Sequence, residues 1–182
     1  FDGINDLATV NKLARTKYDV MTVEAWVNVK PSREFYVIAS QWDDSRSLAA
    51  RSRRYWALAV DSNGVLILDT SPDGVFYKNN RVIGGKIQSN KWHHVAAVID
   101  KKNNSLYVDG ELAATKEISR PGLPIPTNFV FMYLGYSPRW NNAPRYFKGL
   151  IDEFTAYDRA LSQEDILSIY KADNKGKCKA LS

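Results

Sequence analysis

The stretch KWHHVAAVIDKKNNSLYVDGELAATKEI, from Lys91 to Ile118, carries the signals that decide the fold class. KWHHVAAVID is apolar on both faces of an extended chain, which is typical of a central strand covered on each side. Asp109-Gly110 separates two further strand-like segments, LYV and ELAATKEI. Both turn positions tolerate a positive φ, so this pair predicts a two-residue β-hairpin.

Segments on either side of this stretch repeat the pattern. Met21 to Val29 alternates apolar and polar residues, which indicates a strand with one buried face. YWALAV and VLILD flank the turn Asp61-Ser62-Asn63-Gly64, which predicts a second hairpin. About a dozen short strands of this kind indicate an all-β protein, and we expect a two-sheet antiparallel jelly-roll sandwich.

One short helix is expected near the end of the chain, from Ser162 to Lys171. The Ser162 hydroxyl can cap a backbone N–H near Asp165, and acidic residues favour the positive end of the helix dipole. The regular spacing of apolar residues ends after Tyr170. We therefore expect a single jelly-roll domain over residues 1–171 and a tail or linker over residues 172–182.

Composition sets the broad class of the protein. The chain has 182 residues, 45% hydrophobic and 25% charged, which suits one globular domain. No apolar run approaches the roughly 18 residues of a membrane span, so membrane insertion is not expected. Cys178 is the only cysteine, which leaves its role open and excludes an internal disulfide. The net charge of +5 permits an anionic partner without demanding one.

Six segments then occur in an order that resembles the laminin G-like, concanavalin A-like lectin family: FDGINDLATV, TVEAWVNV, KWHHVAAVID, SLYVDGELAAT, YLGYSP and FKGLIDEFTAYDRALSQEDI. The likeness runs from Phe1 to about Tyr170. It is specific for the fold and much less so for function, because this fold hosts carbohydrate binders, adhesion modules and some glycoside-active enzymes. The resemblance implies an extracellular or cell-surface protein, from which this domain is cut and whose other domains are its partners.

The resemblance also implies a structural calcium ion. It places the first strand beside the last, which would bring Asp2 and Asp6 close to Asp152, and calcium prefers such oxygen ligands. In the alternative interpretation, Asp2 and Asp6 are turn residues that bond their own backbone. Asp152 then pairs with a backbone group or a lysine.

Catalytic arrangements are not apparent in the sequence, and we predict no catalytic residues. Asp152 and Glu153 are adjacent in a strand and should face opposite sides, whereas glycosidase carboxylates flank one bond. His93 and His94 face opposite ways for the same reason, which favours a structural role over metal binding.

Two polar loops have the chemistry of a sugar site, since sugars stack on aromatic rings and bond to amides, carboxylates and arginines. The candidate ligand-binding residues are Trp42, Asp43, Asp44, Arg51, Arg53 and Tyr55 in the first loop, Trp140, Asn141 and Asn142 in the second, and Tyr77 elsewhere. Nucleic acid is not expected, because Asp43 and Asp44 interrupt the basic loop. We predict a non-catalytic carbohydrate-binding or adhesion module for an oligosaccharide or acidic polysaccharide. The alternative is a structural spacer or protein-interaction domain without a sugar site.

Overall fold

The protein is a sandwich of two antiparallel β-sheets with one helix packed on its outside, as a computed structural model shows for residues 1–10, 20–42, 54–74, 78–118, 131–140 and 143–172. This confirms the predicted all-β jelly roll. Among these residues, no helix is long and apolar enough to span a bilayer.

The described part of the chain contains strands of three to nine residues. In chain order they are β1 Ala8–Val10, β2 Met21–Val29, β3 Tyr36–Trp42, β4 Arg54–Val60, β5 Val65–Thr70, β6 Val82–Lys86, β7 Trp92–Ile99, β8 Asn103–Val108, β9 Glu111–Glu117, β10 Met132–Leu134, β11 Tyr136–Trp140, β12 Ala143–Tyr146 and β13 Gly149–Tyr157. A short 3-10 helix covers Lys78–Asn80, and the α-helix α1 covers Gln163–Ala172.

The strands form two main sheets and a separate pair. One sheet has the order β1-β10-β3-β4-β5-β6, and the other has the order β13-β2-β7-β8-β9. Strands β11 and β12 pair only with each other in the described structure. All of these pairings are antiparallel.

Alternation along the strands builds the core between the sheets. Val23, Ala25 and Val27 of β2 point into this core, while the residues between them face outward. In β7 the outward residues Ala96 and Val98 are buried as well, because they pack beneath α1. A central strand covered on both faces explains the continuous apolar run of KWHHVAAVID, as predicted.

The Asp109-Gly110 turn has the predicted geometry and also fixes the position of the helix. Asp109 has φ 51° and Gly110 has φ 82°. A Cβ at Gly110 would lie 2.9 Å from Cδ1 of Leu167 and 3.0 Å from Cδ1 of Tyr170. Glycine is therefore required both for the turn and for the close approach of α1.

The predicted helix cap is present as well. The backbone N–H of Asp165 donates to the Ser162 hydroxyl at 3.1 Å, and the N–H of Ser162 donates to the Asp165 carboxylate at 3.2 Å. This reciprocal pair satisfies N–H groups that a helix leaves free at its start. It holds the pKa of Asp165 below its ordinary value, with a smaller contribution from Arg159.

Two expectations about connectivity were wrong. The first strand does not pair with the last, because β1 pairs with β10 and β13 pairs with β2. Only the residues before β1 meet β13, where Phe1 and Gly149 exchange two backbone hydrogen bonds of 3.1 and 3.0 Å. The segment SPRWNNAPRY is not a loop throughout, since its two ends lie in strands β11 and β12.

Candidate functional site

A group of aromatic side chains, one exposed and three half-buried, lies where β10, β11 and β12 meet. The ring centroids of Phe131 and Tyr133 are 6.1 Å apart, those of Tyr133 and Tyr136 are 5.3 Å apart, and those of Tyr136 and Tyr146 are 4.7 Å apart. The first two contacts are edge-to-face and the third is stacked. We call these four residues the aromatic row.

The local sequence explains why the row faces outward. Met132 and Leu134 pack into the core between the sheets, so Tyr133 between them points to the opposite side. Tyr136 would be on the wrong side by simple alternation, but Gly135 has φ 70° and interrupts the strand. The ring of Phe1 occupies the space beside Gly135, which leaves no room for a side chain there. This glycine therefore brings Tyr133 and Tyr136 together.

A cavity of about 430 Å³ opens beside the last ring of the row. We call it the polar pocket. Its polar side chains are those of Asp2, Ser32, Glu34, Tyr146 and Lys148. Phe35 and Pro144 supply apolar surface. Tyr146 belongs to both the row and the pocket, so the two form one continuous surface.

Hydrogen bonds fix the charged groups of the pocket. The Asp2 carboxylate accepts the backbone N–H of Ile4 at 2.7 Å and that of Asn5 at 3.3 Å. These bonds, that from Ile4 foremost, hold the pKa of Asp2 below its ordinary value. Arg145 lies beside the pocket and donates from Nη1 to Glu34 Oε2 at 3.1 Å.

The predicted calcium ligands are not brought together. Asp2 and Asp6 bond the backbone of their own turn, because Asp6 Oδ2 accepts the N–H of Asp2 at 2.8 Å. Asp152 lies farther along β13, opposite Trp26, and accepts the N–H of Glu153 at 2.8 Å. Over the described ranges, no three His, Cys, Asp or Glu side chains cluster in a way that could hold a metal ion. These residues thus do not fit a calcium site, and calcium binding stays a prediction that chelation can test.

The two aromatic residues expected in the first loop are instead strand residues. Trp42 ends β3 and is 1% exposed, and Tyr55 is the second residue of β4 and is also 1% exposed. Their expected loop position was wrong because the β3–β4 pairing continues as far as Trp42 and Arg54. Neither ring offers a free stacking surface.

The remaining candidates cannot be placed by the described structure. Trp140 is the last residue of β11, and its side chain lies outside the description. The other candidates outside the described residues are Asp43, Asp44, Arg51, Arg53, Tyr77, Asn141 and Asn142.

Sequence reasoning missed the aromatic row itself. Its signal was the spacing of aromatic residues around Gly135 in FMYLGYSP, which alternation alone would divide between two faces. Trp92 belongs to the apolar segment KWHHVAAVID, yet its ring is 43% exposed. Trp92 is the first residue of β7 and lies outside the part of the strand that α1 covers.

A second polar and aromatic group lies on the outer face of the other sheet, beneath α1. His94 Nε2 is 3.1 Å from Glu24 Oε2, and both side chains are fully buried. The Tyr157 hydroxyl donates to Glu24 Oε1 at 3.4 Å, and burial, followed by the nearby Glu24, raises the pKa of Tyr157. Trp26 stacks on Tyr170 of the helix with centroids 5.7 Å apart. We call these five residues the sealed cluster.

His93 has a separate set of partners at the edge of the same strand. Its Nε2 accepts the backbone N–H of Gln88 at 3.0 Å, so its Nδ1 carries the proton that bonds Asp109 at 2.8 Å. Asp109 also accepts the N–H of His94 at 2.9 Å. Both histidines are therefore held by structural contacts.

Two packed sheets with an exposed aromatic surface define a lectin-like β-sandwich. The sequence profile of the concanavalin A-like lectin/glucanases superfamily matches residues 2–167, and the chain belongs to this superfamily. No curated protein matches the sequence.

Several solved structures share this fold. The CBM40 module of the Ruminococcus gnavus IT-sialidase, solved with α2,3-sialyllactose, is 17% identical with a TM-score of 0.73, and the match covers 93% of this chain and 96% of the module. A Bacteroides ovatus protein, described as a candidate carbohydrate-binding protein, is 19% identical with a TM-score of 0.66, covering 91% of this chain and 45% of that protein. The Trypanosoma rangeli sialidase is 16% identical with a TM-score of 0.65, covering 98% of this chain and 28% of the enzyme. At such identities the likeness shows the fold alone.

Proposed function

We propose that this domain is a non-catalytic carbohydrate-binding module whose ligand lies on the aromatic row and in the polar pocket. The observation that carries the proposal is the continuity of partly exposed rings with a cavity lined by hydroxyl and charged groups. Aromatic rings pack against the C–H faces of sugars, and the polar groups bond to sugar hydroxyls.

The similar structures support this proposal. The CBM40 module is solved with a sialylated sugar, and the match spans nearly all of it. The Trypanosoma rangeli sialidase is an enzyme, but this chain corresponds to 28% of its length. The likeness to that enzyme therefore carries no argument for sialidase activity in this domain.

The carboxylates of the pocket support a role in binding rather than in hydrolysis. A glycosidase needs a general acid whose pKa is raised, so that it carries a proton at neutral pH. The pKa of Asp2 is shifted in the opposite direction by its backbone hydrogen bonds. Glu34 is bonded to Arg145. Neither residue has the environment of a catalytic acid.

Membership of the superfamily also supports the proposal that the domain serves a larger extracellular or cell-surface protein, in carbohydrate binding or adhesion. Calcium is not required for this proposal. Melting with and without a chelator tests it separately, because an ion that binds only the folded domain raises its melting temperature.

The test is a glycan array followed by calorimetric titration with the glycans that bind. Tyr146→Ala should weaken binding about tenfold, since the ring belongs to both row and pocket, and tenfold corresponds to about 1.4 kcal/mol. Trp92→Ala is the matched control, because it removes an exposed ring from the other sheet. It should leave affinity unchanged.

Two results would count against the proposal. If Tyr146→Ala binds like the unchanged protein, the ligand lies elsewhere. If no glycan binds, the spacer or protein-interaction function becomes the better interpretation. Circular dichroism of each variant establishes that a loss of binding does not come from unfolding.

A further inference from the structure

We infer that the polar pocket selects uncharged sugar units over acidic ones. The inference rests on the proposed carbohydrate-binding function and names the class of sugar that the pocket takes. It differs from the sequence-based expectation, which allowed an acidic polysaccharide as the ligand. That expectation used the net charge of the whole chain, whereas selectivity depends on the charges that line the pocket.

The described lining of the pocket has more negative than positive groups. Two carboxylates, Asp2 and Glu34, face one ammonium group, Lys148, which makes the formal charge of the lining −1. Asp2 is held in its charged form by two backbone N–H groups. Arg145 beside the lining balances Glu34, so a sugar carboxylate entering here meets no net positive charge, although the chain as a whole is +5.

The nearest guanidinium is already bound to one of these carboxylates. Arg145 Nη1 donates to Glu34 Oε2 at 3.1 Å, and the arginine side chain is 17% exposed. Its Nε is buried as well. Two-bond capture of a carboxylate needs two accessible N–H groups on one side of the guanidinium. Arg145 does not present such an edge to the pocket.

The groups that remain accessible suit hydroxyl donors. The Glu34 side chain lines the pocket, is 73% exposed and uses Oε2 for Arg145, which leaves Oε1 for a ligand. The Asp2 contacts described above engage Oδ1, which leaves Oδ2 for a ligand. Carboxylate oxygens only accept hydrogen bonds, and sugar hydroxyls donate them. Hydroxyls of a neutral sugar thus match these two oxygens without adding charge.

The experiment takes each neutral glycan that binds on the array and compares it with a counterpart that carries one acidic unit. The first pair is lactose and 3′-sialyllactose. The full 182-residue chain is titrated with both members of each pair at low and high salt. We expect the acidic member to bind about tenfold more weakly, a difference of about 1.4 kcal/mol. Added salt should narrow this gap, because it screens the repulsion.

Charge-neutral variants test the cause. In Asp2→Asn with Glu34→Gln, the acidic member should regain most of the lost affinity, because the repelling carboxylate charges are gone. Asparagine retains an oxygen for the turn. The control is Asp61→Asn, which removes the charge from another turn whose carboxylate accepts two backbone N–H bonds of 2.8 Å. It should leave the ratio of neutral to acidic affinity unchanged.

The outcomes separate this inference from the function on which it rests. Equal or tighter binding of the acidic members overturns the inference and leaves carbohydrate binding intact. An unchanged ratio in the double variant overturns it as well. If neither neutral nor acidic glycans bind on the array, the proposed function fails and the inference fails with it.

Discussion

The two outer faces of the sandwich carry the same kinds of side chain and differ in whether anything covers them. On the five-stranded sheet, the sealed cluster of Glu24, His94, Trp26, Tyr157 and Tyr170 lies between the strands and α1. Beside the six-stranded sheet, the aromatic row runs from β10 to the β11–β12 pair and continues into an open pocket. We expect the groups beneath the helix to contribute mainly to stability, whereas groups in contact with water can receive a ligand.

The helix explains the difference. Ile166 of α1 is buried against Ala96 and Val98, which continue the apolar outer surface of β7 toward the sealed cluster. Burying that surface stabilises the fold by about 25 cal/mol for each Å² removed from water. The rings of the row contact one another, its three tyrosines are half-buried, and Phe131 remains 40% exposed. We therefore expect mutations of the sealed cluster to change stability and mutations of the row to change binding.

His94→Ala should have the largest effect on stability. It removes the partner of Glu24 Oε2, and breaking such a contact of a buried carboxylate costs about 3 kcal/mol. Urea unfolding followed by tryptophan fluorescence measures the loss. His93→Ala is the control, because His93 is 13% exposed and makes ordinary hydrogen bonds to Asp109 and Gln88.

The control should cost about 2 kcal/mol, because it removes two bonds that usually contribute about 1 kcal/mol each. Equal losses for the two histidine variants would mean that the Glu24–His94 contact has no special energetic role. The contrast between the sealed and open faces would then rest on aromatic packing alone.

Tyr170→Ala allows the stability contribution of a ring in the sealed cluster to be compared with that of a ring in the aromatic row. The ring stacks on Trp26 and lies over His94, with centroid distances of 5.7 and 6.2 Å. Because the ring is only half-buried, we expect a loss of about 2 kcal/mol, less than for a fully buried aromatic residue. Tyr133→Ala is the comparison on the open face and should cost less than 1 kcal/mol. A larger loss for Tyr133→Ala in thermal melts would break the proposed division of roles.

Local sequence signals predicted much of the fold, but they did not predict the long-range contacts on either outer face. The Asp109-Gly110 turn and the Ser162 cap depend on neighbouring residues, so the sequence predicted them correctly. The Glu24–His94 contact joins residues 70 positions apart. No local pattern reports such a pairing. It depends on the register of β2 against β7, where Trp26 lies opposite His94.

The candidate site was harder to predict for the same reason. The sequence placed Trp42 in a polar loop, but Trp42 pairs with β4 and is buried. The Ser137 hydroxyl donates to its carbonyl at 3.0 Å. The row depends on a single positive φ at Gly135 and on the pairing of Tyr136 with Tyr146. Both features become evident only once strand partners are known. Residue type alone therefore identified the chemistry of a sugar site and not its position.

Ser162→Ala tests how firmly the helix covers the sealed cluster. The hydroxyl accepts the Asp165 N–H at the start of α1, and loss of such a cap costs about 1 kcal/mol. Since α1 covers only one face, hydrogen exchange should increase in α1 and β7 and remain unchanged in β10. Ser162→Thr is the control, because threonine can make the same bond. Uniform faster exchange across both sheets would show that the helix is not an independent cover.

Asp165→Asn should have the smallest effect, and one that depends on pH. The pKa of Asp165 is lowered in the folded protein, first by the Ser162 N–H and then by Arg159. The folded state therefore binds fewer protons than the unfolded state near the ordinary carboxylate pKa of about 3.9. Its stabilisation is present above that pH and is lost as pH falls through the lower folded value. The difference in melting temperature between the unchanged protein and the variant should accordingly be greatest near pH 7 and should vanish in strong acid. Asp158→Asn, which removes an exposed carboxylate outside the cap, is the control at each pH. If the Asp165→Asn difference persists at the acidic end, the carboxylate charge is not what holds the start of α1 over the sealed cluster.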